Sequence, residues 1–143
     1  MLGKYLLAPL TLALFVSNSY ASDIKPELLA DAVTHNATLK AEFQRITETV
    51  LEQAPWIRDY GTATPAEPIT IDATTYLVYR ACKPHDCPSQ GYAVLFDTNK
   101  QTMVAGAFIE NSYRDQLNLD TSTVHWLGNT QLEHARALAD YLF

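Results

Sequence analysis

The chain holds two cysteines, Cys82 and Cys87, and they stand between two segments with the composition of β-strands. Residues 75–81 and residues 92–96 are dense in β-branched and aromatic side chains, which favour strands. Two strands joined by so short a connection form a hairpin. A bond between the two sulfurs would close the tip of that hairpin into a small ring, provided that the thiols are oxidised.

The first residues predict an oxidising destination. Lys4 precedes an apolar run at residues 6–16, and a polar exit with small residues follows up to Ala21. This pattern is typical of a secretory signal peptide over residues 1–21, cleaved after about Ala21. A membrane anchor is the disfavoured alternative, because the apolar run is too short to cross a bilayer comfortably.

Cleavage would leave residues 22–143 as one exported domain without membrane insertion, since the length suits a single core. An oxidising compartment favours a disulfide between Cys82 and Cys87. The formal net charge of the whole chain is −6, and loss of Lys4 makes it about −7. Such a charge disfavours nucleic acid and anionic membranes as partners, but by itself it indicates no particular protein.

Helical patterns occupy both ends of the predicted domain. Pro26 suits the first position of a helix that continues to Val33. A second helix is predicted to end before Pro55, because its apolar side chains recur every three or four residues. A Thr130-x-x-Glu133 capping box predicts the start of the last helix. The apolar stripe of the second helix comprises Leu39, Phe43, Ile46, Val50 and Ala54.

Strand patterns fill the middle of the chain, between a predicted loop at residues 56–68 and a polar, irregular segment at residues 111–123. Gly106 predicts a bulge or a close-packing point. The fold class that follows is α+β, an antiparallel sheet packed with helices from the N- and C-terminal ends. The predicted strands are 69–71, 75–81, 92–96, 102–109 and 124–127.

The connection between the cysteines is polar, with Lys83, His85 and Asp86 around Pro84. Three interpretations remain open on chemistry alone. The ring is a pinned hairpin without a partner, a metal site formed by both thiols and His85, or a recognition loop held in its bound shape. A redox enzyme is disfavoured, because the spacing is C-x4-C and a thioredoxin-like context is absent.

The motif Cys-Lys-Pro-His-Asp-Cys at residues 82–87 resembles the hallmark of the Ivy family, the bacterial periplasmic inhibitors of vertebrate (c-type) lysozyme. The surrounding chain is similar as well, from Pro55-Trp56 into the last helix. Further similar positions are residues 61–66, Tyr76 and Trp126-x-Gly128-Asn129.

The resemblance implies an inhibitor, not an enzyme, without cofactor or metal. Its loop would enter the lysozyme cleft, where His85 would hydrogen-bond to the catalytic carboxylates. Cys82 and Cys87 would hold the loop, and Lys83, Pro84 and Asp86 would shape it. The implied partner, c-type lysozyme, is typically basic and so complements the acidic chain. The implied location is the periplasm, and the family leaves both a monomer and a homodimer open.

The remaining aromatic and imidazole side chains have plainer interpretations. His35 and His125 are predicted to be structural or surface residues, and His134 to face solvent. Trp56 and Trp126 are predicted to be core or lid residues. The alternative function is a periplasmic envelope or carbohydrate-binding protein, whose contacts would be Trp56, Tyr60 and Trp126.

Overall fold

The computed structural model describes residues 25–142, so the predicted signal peptide lies outside the described residues. A five-stranded antiparallel sheet forms the centre, with its strands in chain order from β1 to β5. Within residues 25–142, no helix is long and apolar enough to cross a membrane. The elements are α1 Leu29–His35, α2 Ala37–Thr47, β1 Thr62–Ile71, β2 Thr74–Cys82, β3 Gln90–Asp97, β4 Thr102–Tyr113, β5 Leu119–Leu127 and α3 Leu132–Ala139, with 3-10 turns at Glu48–Val50 and Pro55–Asp59.

Helices cover both faces of the sheet. The front face is the one packed against α1 and α2, and it carries the larger apolar cluster, with Phe43 of α2 against Tyr92 of β3. The back face is the one packed against α3, whose Leu138 is fully buried against Leu95 of β3. Apolar side chains are buried on both sides of β3, which confirms that residues 92–96 form a central strand. The α+β class is confirmed.

The two N-terminal helices are shorter than predicted. Residues Pro26 and Glu27 precede α1, because the carbonyl of Glu27 accepts a hydrogen bond of 2.8 Å from the backbone N–H of Ala66 on β1. In α2, the hydroxyl of Thr47 donates to the carbonyl of Phe43 at 2.8 Å, and the chain then tightens into a 3-10 turn. All five residues of the predicted stripe are nevertheless buried.

Two segments predicted as irregular are strands. β1 includes Pro65 and Pro68, which an edge strand tolerates because one of its sides needs no ladder partner. A register shift between Thr64 and Glu67 accommodates the first of these prolines. Likewise, β4 and β5 continue as a hairpin through the polar segment, whose side chains are solvated on both faces and so show no alternation.

The start of the last helix also differs from the prediction. Thr130 does not cap α3: its hydroxyl lies 2.8 Å from the carbonyl of Leu127 and 3.2 Å from the carbonyl of Gly106.

His134 is half-buried, with its ring edge-on to Tyr76 at 5.5 Å, and the prediction that it faces solvent is wrong. The close-packing prediction for Gly106 is confirmed, since a Cβ there would lie 3.0 Å from a methyl group of Val94.

Glu42 joins α2 to β4. Its carboxylate accepts two hydrogen bonds from Arg45, at 2.9 and 2.7 Å, and one from the backbone N–H of Met103 at 2.9 Å. The hydroxyl of Thr102 donates a further bond. These interactions, of which the Arg45 bond is the strongest, lower the pKa of Glu42 from 4.5 to about 2 despite partial burial.

We expect this carboxylate to set the acid sensitivity of the fold. Because the pKa of Glu42 is lower in the folded state, its contribution is complete above pH 4.5 and is lost as the pH falls towards about 2. Glu42→Gln should lower the free energy of unfolding at neutral pH by roughly 2 kcal/mol and flatten its acid dependence. Urea unfolding at about pH 7 and about pH 3 measures both effects. Glu52→Gln is the matched control on an exposed glutamate, and an equal effect of the two variants would contradict this role.

Candidate functional site

The connection between β2 and β3 projects from one end of the sheet, where the strands terminate, as a closed ring. Cys82 and Cys87 form a disulfide, with their Cα atoms 4.7 Å apart, and this confirms the predicted pairing. The backbone N–H of Lys83 donates to the carbonyl of Gln90 at 3.0 Å and continues the ladder into the ring. The interpretation as a metal site loses its two thiolate ligands, because both sulfurs are engaged in the bond.

A tight turn forms the tip of the ring. The backbone N–H of Asp86 donates to the carbonyl of Lys83 at 3.0 Å, with Pro84 and His85 at the two central positions. His85 has a φ of 64°, so the turn shows the type II pattern of proline followed by a left-handed residue. That conformation costs a side chain on the order of 1 kcal/mol and favours glycine. The backbone therefore does not explain why this residue is a histidine.

The tip is exposed and its imidazole is free. His85 lies in the middle of an exposed stretch, and within the described residues its ring has no hydrogen-bond partner. The exposed stretch comprises Pro84, His85, Asp86, Cys87 and Pro88. A rigid turn thus presents an uncommitted donor and acceptor to solvent.

Asp86 stabilises the ring from within. Its carboxylate accepts a hydrogen bond of 2.6 Å from the hydroxyl of Ser89, and the ammonium of Lys83 lies 3.5 Å away. The Ser89 bond first, and then Lys83, hold the pKa of the Asp86 carboxyl below its ordinary value. The acid and the base of the ring are therefore engaged with the ring itself, whereas His85 is not.

The β4–β5 hairpin supports the exit of the ring, and sequence reasoning missed this contact. The side chain of Asn111 and the phenol of Tyr113 donate to the carbonyl of Pro88 at 2.9 and 3.0 Å. The backbone N–H of Asn111 donates to the carbonyl of Ser89 at 2.7 Å. The available signal was the pair of β-branched residues Thr121 and Thr123 in the partner strand.

A chain of hydrogen bonds on the front face supports the base of the ring. Gln90 accepts from the indole N–H of Trp56 at 2.8 Å and donates to Glu110 at 3.0 Å, and Glu110 lies 3.2 Å from the ring of His125. Trp56 leaves no room beside Gly61, where a Cβ would lie 2.5 Å from the indole. The base of the ring is therefore tied to three strands.

The three aromatic residues of the alternative function do not form one surface. Trp56 and Tyr60 pack against the front cluster, and the phenol of Tyr92 donates to the carbonyl of Tyr60 at 2.9 Å. Trp126 pairs with Ala107, whose side chain belongs to the back cluster, and it is 48% exposed. A carbohydrate platform would need these rings on one face.

Comparisons with known proteins point to one family. The sequence model of the family described as "Inhibitor of vertebrate lysozyme (Ivy)" matches residues 38–118. Two relatives with the printed name "Inhibitor of vertebrate lysozyme", from Escherichia coli strain K12 and from Escherichia coli O157:H7, are each 37% identical over 82 residues. The aligned region is 57% of this chain and 51% of each relative, so the chain spans about half the length of the curated relatives that it matches.

The Ser89–Asp86 bond predicts an acid-sensitive ring. Because the pKa of Asp86 is lowered in the folded ring, the bond is present above the ordinary carboxyl pKa and is lost as the pH falls through the lowered value. We expect Ser89→Ala to raise the pKa of Asp86 towards its ordinary value, measured by NMR titration of the Asp86 carboxyl carbon. Ser112→Ala, on the neighbouring hairpin, is the control. An unchanged titration in Ser89→Ala would show that the hydroxyl does not hold the carboxylate.

Proposed function

This chain belongs to the Ivy family, and on that premise we propose that it inhibits a c-type lysozyme by inserting the ring of residues 82–87 into the active-site cleft. In this proposal the protein acts in the periplasm after export, and it binds its target without catalysing a reaction. The observation that carries this proposal is the free imidazole of His85 at the exposed apex of a disulfide-closed turn.

The chemistry of the target explains why an imidazole suits this position. Lysozyme cleaves glycosides with two carboxyl groups, one protonated and one ionised. An imidazole has two ring nitrogens and can donate and accept hydrogen bonds at once. Inserted between two carboxyl groups, His85 would satisfy both and occupy the space of the substrate. Lys83 and Asp86 are engaged with each other across 3.5 Å and would reach the cleft as a largely neutralised pair.

The shape of the ring supports tight binding. A flexible loop loses conformational freedom when it enters a cleft, at about 0.5–1.5 kcal/mol for each immobilised side chain and more for its backbone. In this chain the disulfide, Pro84 and the bonds to the carbonyl of Pro88 restrict the loop before binding. His85 is exposed at the tip of this restricted loop and has a left-handed φ of 64°.

His85 variants test the insertion. We expect His85→Gly to weaken inhibition of a c-type lysozyme about thirtyfold or more, because it removes the inserted group while relieving the left-handed backbone. His85→Ala should behave alike, so that the loss follows the imidazole and not the backbone. The assay is lysis of bacterial cells by lysozyme with stoichiometric inhibitor.

His35→Ala is the matched control, since His35 is also exposed but lies in α1 and pairs with Glu27 at 3.1 Å. It should retain the inhibition of the unmodified chain. Full inhibition by His85→Gly would refute the insertion of this residue. Absence of any binding to immobilised lysozyme by the unmodified chain would refute the proposed function itself.

The acidic charge predicts salt-dependent association. The formal net charge of the whole chain is −6, or about −7 after the predicted cleavage removes Lys4, and the proposed target is basic. Raising the ionic strength from about 0.01 M to about 0.15 M shortens the screening length from about 30 Å to about 8 Å. The association rate constant should then fall about tenfold, with little change in the dissociation rate. Stopped-flow binding measures both, and an association rate that is independent of salt would contradict electrostatic steering.

A further inference from the structure

The β4–β5 hairpin exposes a concentration of apolar side chains next to the ring. We define the hairpin tip as residues 113–119. Of the five large apolar side chains that are exposed within the described residues, three belong to it, namely Tyr113 at 43%, Leu117 at 92% and Leu119 at 50%. Isolated exposed leucines need no explanation, but a cluster of them indicates a contact surface.

The hairpin tip and the ring project from the same end of the sheet. β3 pairs with both β2 and β4, and Gln90 at the base of the ring lies opposite Glu110, just before the hairpin tip. The phenol of Tyr113 bonds the carbonyl of Pro88 at 3.0 Å and links the two structures. Between them lies an open groove of about 340 Å³, lined by Pro88, Tyr113, Asp115 and Gln116.

The hairpin tip has a defined conformation. The carboxylate of Asp115 accepts from the backbone N–H groups of Leu117 and Asn118 at 2.9 and 3.1 Å. The backbone N–H of Arg114 donates to the carbonyl of Asn118 at 2.9 Å, and its guanidinium lies 3.1 Å from Asp120. Leu117 is therefore held outward by its own turn, and its exposure does not result from a lack of structure.

The charges of the ring and the hairpin tip suit a basic partner. Arg114 is paired with Asp120, and Lys83 with Asp86. Asp115 remains as a carboxylate whose bonds come from uncharged amide groups, so its negative charge is not neutralised by a cation of the described residues. An apolar tip beside an unneutralised carboxylate complements a surface with apolar and basic side chains.

The ring is too small to form a stable complex alone. Specific protein complexes bury about 800 Å² on each partner, or some 20–30 residues. The ring encloses only four residues, and its neighbours at the same end of the sheet must supply the remaining contact. The hairpin tip lies at the same end of the sheet as the ring, exposes apolar side chains and is held by its own hydrogen bonds.

We propose that the hairpin tip is a second contact element, which packs against the rim of the cleft of the same lysozyme that receives the ring. Leu117 and Leu119 supply the apolar contact, and Asp115 faces a basic side chain of the rim. This inference rests on the proposed function, and it assigns to the ring the blocking of catalysis and to the hairpin tip a share of the affinity.

The test compares two exposed leucines. Leu117→Ser should raise the Kd for chicken egg-white lysozyme about tenfold, mainly through faster dissociation. Leu132→Ser is the matched control, because Leu132 is 63% exposed but lies at the start of α3, outside the hairpin tip. It should leave the Kd unchanged. Both variants should still inhibit fully at saturating concentration, because the ring is intact, and both should unfold at the temperature of the unmodified chain.

The outcomes separate this inference from the proposed function. If His85→Gly weakens binding and Leu117→Ser does not, the ring stands and the second contact is overturned. If the unmodified chain does not bind lysozyme, both proposals are overturned. Sedimentation of the free chain provides the remaining arm: a dimer that Leu117→Ser converts to a monomer would assign the hairpin tip to self-association and overturn its role at the rim.

Discussion

The central strand β3 is buried on both faces, and the positions of the other elements depend on it. Its Tyr92, Val94 and Phe96 point to the front cluster, while Ala93 and Leu95 point to the back cluster. A slip of one residue would exchange the two sets and place the aromatic rings of Tyr92 and Phe96 on the face that packs against α3. The register with β2 and β4 is therefore fixed by packing, which in turn fixes the end of the sheet from which the ring and the hairpin tip emerge.

The stabilising contacts lie on the faces of the sheet, whereas strained and exposed apolar residues lie at one end of it. The faces carry the apolar clusters and the Glu42–Arg45 clamp between α2 and β4. The end of the sheet that carries the ring has features that a structural turn does not need, namely a histidine in a left-handed conformation and exposed leucines. Local strain and solvent-exposed apolar groups are tolerated there because the sheet beneath them is firmly packed.

The support of the ring comes from residues that are distant in sequence. Trp56, Gln90, Glu110 and His125 form one hydrogen-bonded chain across the front face, although they belong to a 3-10 turn and three strands. Gln90→Leu would break this chain at its centre and leave the polar groups of its neighbours without partners, which is costly when they are shielded from water. Preorganisation of the ring thus depends on several strands at this end of the sheet.

The sequence by itself determined the α+β class, the central strand, the buried apolar stripe that begins in α2 and the disulfide of Cys82 and Cys87. The first three depend on periodicity and composition, which are local properties, and the disulfide joins the two cysteines of the chain across one short connection. Only the tertiary structure decided that the proline-containing β1 is a strand, because an edge position removes the need for a second ladder partner. It likewise decided that the polar residues of β4 and β5 form a hairpin beside the ring, and that Thr130 bonds to β4 and not to α3, since such pairings join segments whose own patterns carry no signal.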